Sequence, residues 1–162
     1  MAKLFTIKVD NLEATNTFAA HLSQHLEAGD MLILNGGLGV GKTHLVKAVA
    51  SALNSIDEVS SPTYTIANVY RTDKGELLHM DAYRLESHEE FWDLGLEEQF
   101  ETGITMMEWG AKYASDFEDY LSLDITIDKV VETGRSITLT AVGERWQKKL
   151  PLLTESLVNL SL

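Results

Sequence analysis

Residues 36–43 read Gly36-Gly37-Leu38-Gly39-Val40-Gly41-Lys42-Thr43. They fit the pattern G-x-x-x-x-G-K-[ST], the phosphate-binding loop known as Walker A. Its context is right: the apolar run Met31–Leu34 precedes it and a helical periodicity from Lys42 to Leu53 follows. A bare glycine-rich strand-to-helix turn would not need the complete pattern. Glycines let the backbone wrap phosphates and turn N–H groups inward. The helix that begins near Lys42 aims its positive end at the same place. Lys42 is expected to bridge the β- and γ-phosphates, and Thr43 to offer its hydroxyl to Mg²⁺. All eight residues are therefore candidates for holding a nucleoside triphosphate. The stretch does not by itself specify the reaction.

Outward from this loop, the pattern predicts a strand over Lys3–Val9 and a helix from the Asp10/Glu13 capping spacing through Glu27. Met31–Leu34 reads as a buried strand. A strand is expected over Tyr64–Tyr70, turning at Thr72-Asp73-Lys74-Gly75 into Glu76–Met80. A short helix over His88–Leu94 and strands over Ile104–Glu108, Leu121–Asp128 and Ser136–Val142 follow. Trp146, Leu150, Leu153, Leu157 and Leu160 form a helical stripe in which Pro151 should kink or split the helix. The order predicts an α/β fold, with helices packed on a mixed, partly antiparallel sheet. Residues 1–162 are expected to form one domain, with a C-terminal helical segment over about 144–162.

A P-loop needs a carboxylate at the end of a neighbouring strand. Asp81 follows Leu77–Met80, and Glu108 follows Ile104–Met107. Either could serve the metal, or simply cap a loop. Ser61-Pro62-Thr63 offers hydroxyls soon after the P-loop helix; Pro62 holds Ser61 extended. It fits a switch that senses γ-phosphate, and also an ordinary turn. Asn11 and Thr15, near the start of the first helix, are candidates for the adenine side. His21 and His25 have a metal-like spacing but no accompanying signature, and His79 is expected to pack or hydrogen-bond. Trp109 could cover the site or lie in the core.

The 162 residues carry 25 acids against 13 bases, a formal charge of −12. Eleven of the acids lie between Glu86 and Asp119, where Lys112 is the lone base. This disfavours a grip on nucleic-acid phosphates. It suits either a solvated face or a docking surface for a basic partner. With no cysteine, disulfide scaffolds, zinc-thiolate sites and iron–sulfur clusters are excluded. No signal peptide or membrane span is expected, which fits a cytoplasmic protein.

Leu34–Thr43, Ser61–Ile66, His79–Leu85 and Glu108-Trp109, in that order, resemble the TsaE (YjeE) family. Ile137–Gly143 also looks like members from Gram-positive bacteria. The resemblance spans essentially the whole chain. It implies a P-loop NTPase-like three-layer sandwich and an ATPase needed to make threonylcarbamoyladenosine (t6A) in tRNA. It implies ATP and Mg²⁺ as cofactors and TsaB and TsaD as partners, with tRNA reached only through that complex. By the same resemblance Lys42 is the phosphate lysine, and Thr43 and Glu108 hold magnesium. Asp81 is the Walker-B-like aspartate, Ser61 and Thr63 form the switch element, and Trp109 is the neighbouring aromatic. Gly37 stands where members commonly have Asp, and His44 where they often have Thr or Ser. The expected reaction is in-line attack of water on the γ-phosphate, slow without partners because no arginine finger is evident; Arg84 is a candidate. A small-molecule kinase is the main alternative. A nucleotide-gated binding module without turnover is another. A GTPase is disfavoured because no N-K-x-D motif follows the loop.

Overall fold

A computed structural model describes residues 3–160. Seven strands form one sheet in the order β1-β7-β6-β2-β5-β4-β3. They are β1 (Lys3–Val9), β2 (Met31–Asn35), β3 (Ala67–Thr72), β4 (Gly75–Asp81), β5 (Ile104–Glu108), β6 (Tyr120–Ile127) and β7 (Arg135–Val142). The central strands β6, β2, β5 and β4 run parallel, whereas β1, β7 and β3 pair antiparallel at the flanks. The fold is thus the α/β sandwich with a mixed sheet that the sequence predicts.

Strand side chains alternate between two cores, as a period of two requires. Leu32, Leu34, Leu77 and Met106 face the core shared with α1 (Leu12–Gln24), α2 (Lys42–Ala52) and α5 (Glu144–Val158). Met31, Ile33, Leu78, Met80 and Met107 face the other core. That side is closed by Phe91 of α3 (His88–Trp92), by Phe100 of α4 (Glu97–Thr102) and by Tyr113 of a 3-10 turn over Ala111–Asp116. Sheet and two covering layers make the three-layer sandwich.

Four local expectations are corrected. The cap of α1 is Asn11, not Asp10: the Asn11 side chain accepts from the Ala14 N–H at 2.8 Å. The helix stops at Gln24 rather than Glu27, and the Lys74 ammonium takes up the carbonyls of Ser23, Gln24 and Leu26. The strand expected from Tyr64 starts only at Ala67. Ile66 has φ +69° and donates its N–H to Pro62 O at 2.7 Å, so 62–66 is a turn. Pro151 does not split α5, which runs unbroken through Val158. A helical proline leaves the carbonyl four residues back without its donor; here that is Gln147, and Lys3 Nζ donates to it at 3.0 Å. The expected end of this segment, residues 161–162, lies outside the described residues.

Candidate functional site

Parallel pairing assembles the site. The register sets Leu34 opposite Glu108, and Glu108 opposite Asp81. The ends of β2, β5 and β4 therefore meet at one edge, where parallel sheets bind ligands. The glycine loop leaves β2 there. Gly36 has φ +146°, and a Cβ would lie 2.7 Å from Ile125 O, so glycine is required. Gly41, at φ +107°, opens α2 with no side-chain cap, leaving the first helical amides free for an anion.

A pocket of about 300 Å³ lies against this edge. Leu38, Gly39, Gly41, Lys42, Thr43, His44, Ser61, Thr63, Asp81, Glu108 and Trp109 line it. Most of the expected site residues are thus brought together. Gly36 shapes the turn instead, and Gly37 lies outside the lining, as does Val40.

Lys42 is buried, with Nζ donating to Gly36 O at 2.6 Å and lying 3.5 Å from the Trp109 ring centroid. Burial pulls its pKa below the ordinary lysine value, against the opposing fields of Glu108 and Asp81. An ammonium has three N–H donors, so Gly36 does not exhaust it. Trp109 itself sits at φ +58° and meets Tyr83 edge-to-face at 5.1 Å.

Glu108 is 5% exposed. Its Oε1 and Oε2 accept from the Thr43 hydroxyl at 3.1 and 2.9 Å, and His79 Nε2 lies 2.6 Å from Oε2. Asp81 Oδ1 accepts from Tyr83 N–H at 2.9 Å, and Thr63 Oγ1 donates to Oδ2 at 3.4 Å. Ser61 Oγ lies 2.7 Å from Thr63 Oγ1. The switch element therefore touches the carboxylate edge through Thr63.

The oxygen donors Thr43 and Glu108, side by side at a pocket wall, fit a hard cation. Among the described residues no group of three or more His, Cys, Asp or Glu could hold a metal.

Thr15 lines a narrow crevice beside the loop with Leu12, Val40, His44 and Arg135. Asn11 is committed to the α1 cap. Arg135 was missed by sequence reasoning: its Nε donates to Val40 O at 2.8 Å, tying β7 to the loop. No local pattern links residues so far apart in the chain. His79 hydrogen-bonds as expected, but its link to Glu108 was not foreseen. His21 contacts Ser156 Oγ at 2.6 Å across to α5. Arg84 is exposed and does not line the pocket.

The family profile described as Threonylcarbamoyl adenosine biosynthesis protein TsaE matches residues 9–137. The chain belongs to the TsaE family. It is 39% identical to the Bacillus subtilis tRNA threonylcarbamoyladenosine biosynthesis protein TsaE, over 85% of each chain. It is also 39% identical to the TsaE protein of Treponema pallidum, over 70% of this chain and 84% of the relative. The crystal structure of Bacillus subtilis YdiB superposes with a TM-score of 0.76 at 29% identity, covering 96% of this chain and 97% of that one. Of the two departures from the TsaE pattern, Gly37 is sterically neutral, since a Cβ there would meet nothing within 4 Å. At His44, Nε2 is buried with no hydrogen-bond partner among the described residues.

Proposed function

We propose that this chain is a Mg²⁺-dependent ATPase that supports t6A modification of tRNA by working on the TsaB–TsaD threonylcarbamoyl transferase. The observation that carries this reading is the juxtaposition at one pocket of the Lys42 ammonium, the open amides of α2 and the Thr43–Glu108 oxygen pair. Lys42 and the amides would hold the β- and γ-phosphates and offset the charge that develops on transfer. Thr43 and Glu108 would hold Mg²⁺, which supplies further charge neutralisation when bound. Asp81 would orient the attacking water, and Ser61 and Thr63 would close over the γ-phosphate. Thr15 and its crevice are the proposed adenine side, with Asn11 shaping the helix that carries it. The whole chain would act as one ATPase unit, in the cytoplasm; no helix among the described residues is long and apolar enough to cross a membrane.

The acidic stretch supports protein docking rather than direct tRNA binding. All its acids except Glu108 and Asp119 are exposed, and tRNA phosphates would be repelled by them. The kinase alternative needs several arginines on the transferring phosphate. Arg71 is held by Asp57 and Arg145 by Asp30, while Arg135 serves Val40 O.

Calorimetry with Mg-ATP and Mg-ADP, followed by turnover assays with and without TsaB–TsaD, tests the reading. We expect binding of both nucleotides, slow turnover alone and faster turnover with partners. Lys42→Ala should weaken binding at least about tenfold, the loss of a charged hydrogen bond. Absence of any nucleotide heat would overturn the proposal; a phosphorylated metabolite in a product screen would favour the kinase.

A further inference from the structure

Behind the pocket lies a chain of polar contacts that the proposed reaction does not use. His79 is fully buried, and Tyr70 is 3% exposed. His79 Nε2 faces Glu108 Oε2 at 2.6 Å, and its Nδ1 lies 3.0 Å from the Tyr70 hydroxyl. That hydroxyl donates to Ser60 O at 2.9 Å and receives the Ser60 N–H at 3.3 Å. Register explains the meeting: Tyr70 pairs with Leu77, so His79 is its diagonal neighbour across β3 and β4. Thr43, Glu108, His79, Tyr70 and Ser60 thus form one continuous path. It runs from the P-loop helix through the sheet to the base of the Ser61-Pro62-Thr63 loop.

Counting protons gives this path a direction. Carboxylate oxygens accept, so a His79 ring that carries one proton donates it from Nε2 to Glu108 and presents Nδ1 as an acceptor. The tautomer follows from the partners. The Tyr70 hydroxyl then has one proton and two acceptors for it, His79 Nδ1 and Ser60 O. What Glu108 asks of His79 decides what Tyr70 can give to Ser60.

We propose that His79 and Tyr70 are positioning residues that couple the Glu108 carboxylate to the Ser60–Thr63 loop through this contested proton. A change in what occupies the Glu108 oxygens is passed to the loop without direct contact between them. The coupling is a property of the free protein. Its use in sensing nucleotide rests on the function proposed above.

The test is NMR on the full chain without nucleotide. Ring ¹⁵N shifts of His79 should show the proton on Nε2 in the wild type. Glu108→Gln places an amide N–H against Nε2, which reverses the path. The ring should then carry its proton on Nδ1 and donate to Tyr70, whose own proton is left for Ser60 O. Amide exchange at Ser60 and Ile66 should slow about fivefold in Glu108→Gln, the scale of one neutral hydrogen bond. Tyr70→Phe, nearly isosteric, should speed exchange by about the same factor. The double variant should exchange like Tyr70→Phe alone, because a broken link cannot transmit. The proposal is overturned if Glu108→Gln leaves loop exchange unchanged, if its effect persists undiminished in the Tyr70→Phe background, or if the His79 tautomer does not change. Calorimetry with Mg-ATP on the same samples keeps the two readings apart. A wild type that binds no nucleotide ends the proposed ATPase, while exchange and ring shifts alone decide the coupling.

Discussion

Two buried carboxylates sit at opposite ends of the central strands, and their partners differ in kind. Asp30, just before β2, is fully buried and touches Arg145 Nε at 2.7 Å, Lys149 Nζ at 2.6 Å and the Glu27 N–H at 2.8 Å. Glu108, at the end of β5, meets a hydroxyl and an imidazole. Burial penalises both charges. Asp30 is offset by two permanent cations, both from α5, and so pins that helix against the start of β2. Glu108 has no such pair, and its oxygens remain suited to receiving a cation at the pocket. One end of the sheet is neutralised from within; at the other, under the proposed function, a bound cation would complete the charge balance.

The sharpest way to break this comparison is to remove each charge. Asp30→Asn strands Arg145 and Lys149, and should cost about 3 kcal/mol in urea unfolding, the low end for a broken buried pair because both cations partly reach solvent. Glu108→Gln keeps an oxygen for Thr43 and an amide for His79, and should shift stability by less than about 1 kcal/mol. It should nonetheless abolish the magnesium dependence of nucleotide binding. Equal stability losses in the two variants would erase the distinction between a structural and a ligand-directed carboxylate.

A smaller effect is expected within the loop itself. Gly36→Ala puts a Cβ 2.7 Å from Ile125 O at a φ that L-residues avoid, and should lose about 2 kcal/mol. Gly37→Ala, one position on, meets nothing within 4 Å and should be close to neutral in stability. Thermal unfolding of the pair checks this. Similar losses at both would mean that the loop is fixed by its ends rather than by the contact with β6.

The sequence carried the loop, both strand-end acids and the alternation of the sheet, because each is a local pattern. Met31–Leu34 and Ile104–Glu108 are short apolar runs with nothing to confuse their reading. What it did not carry lies in long-range partners. Pro151 breaks a helix on local grounds, but Lys3 supplies the missing donor from the far end of the chain. Asn11 and Asp10 are equally good caps by composition, and only the geometry chooses between them. The Asp30 cluster joins residues 115 and 119 positions apart. The path from Glu108 to Ser60 depends on strand register, which periodicity alone does not fix. The 62–66 turn hid inside a β-rich run because Ile66 is a poor residue for positive φ.

The weakest member of the series is an ion pair at the surface. Asp57 Oδ1 and Oδ2 accept from the Arg71 guanidinium at 2.9 and 3.1 Å, and Oδ2 also takes the Arg71 N–H at 2.8 Å. These bonds favour the ionised form and pull the Asp57 pKa from 3.8 down to about 2. A carboxyl whose pKa is depressed by folding adds stability that is fully present above its unfolded value and fades as pH falls through the folded one. Asp57→Asn should therefore lower the thermal midpoint by a small, constant amount from pH 7 to about pH 5. The gap to wild type should close between about pH 4 and pH 2. Taking the difference between the two proteins cancels the titration they share. Because the pair is solvent-exposed, added salt should shrink the gap as well. The Asp30 gap, which rests on a fully buried carboxylate, should respond to salt far less. A salt response as large at Asp30 as at Asp57 would show that burial does not set these two carboxylates apart.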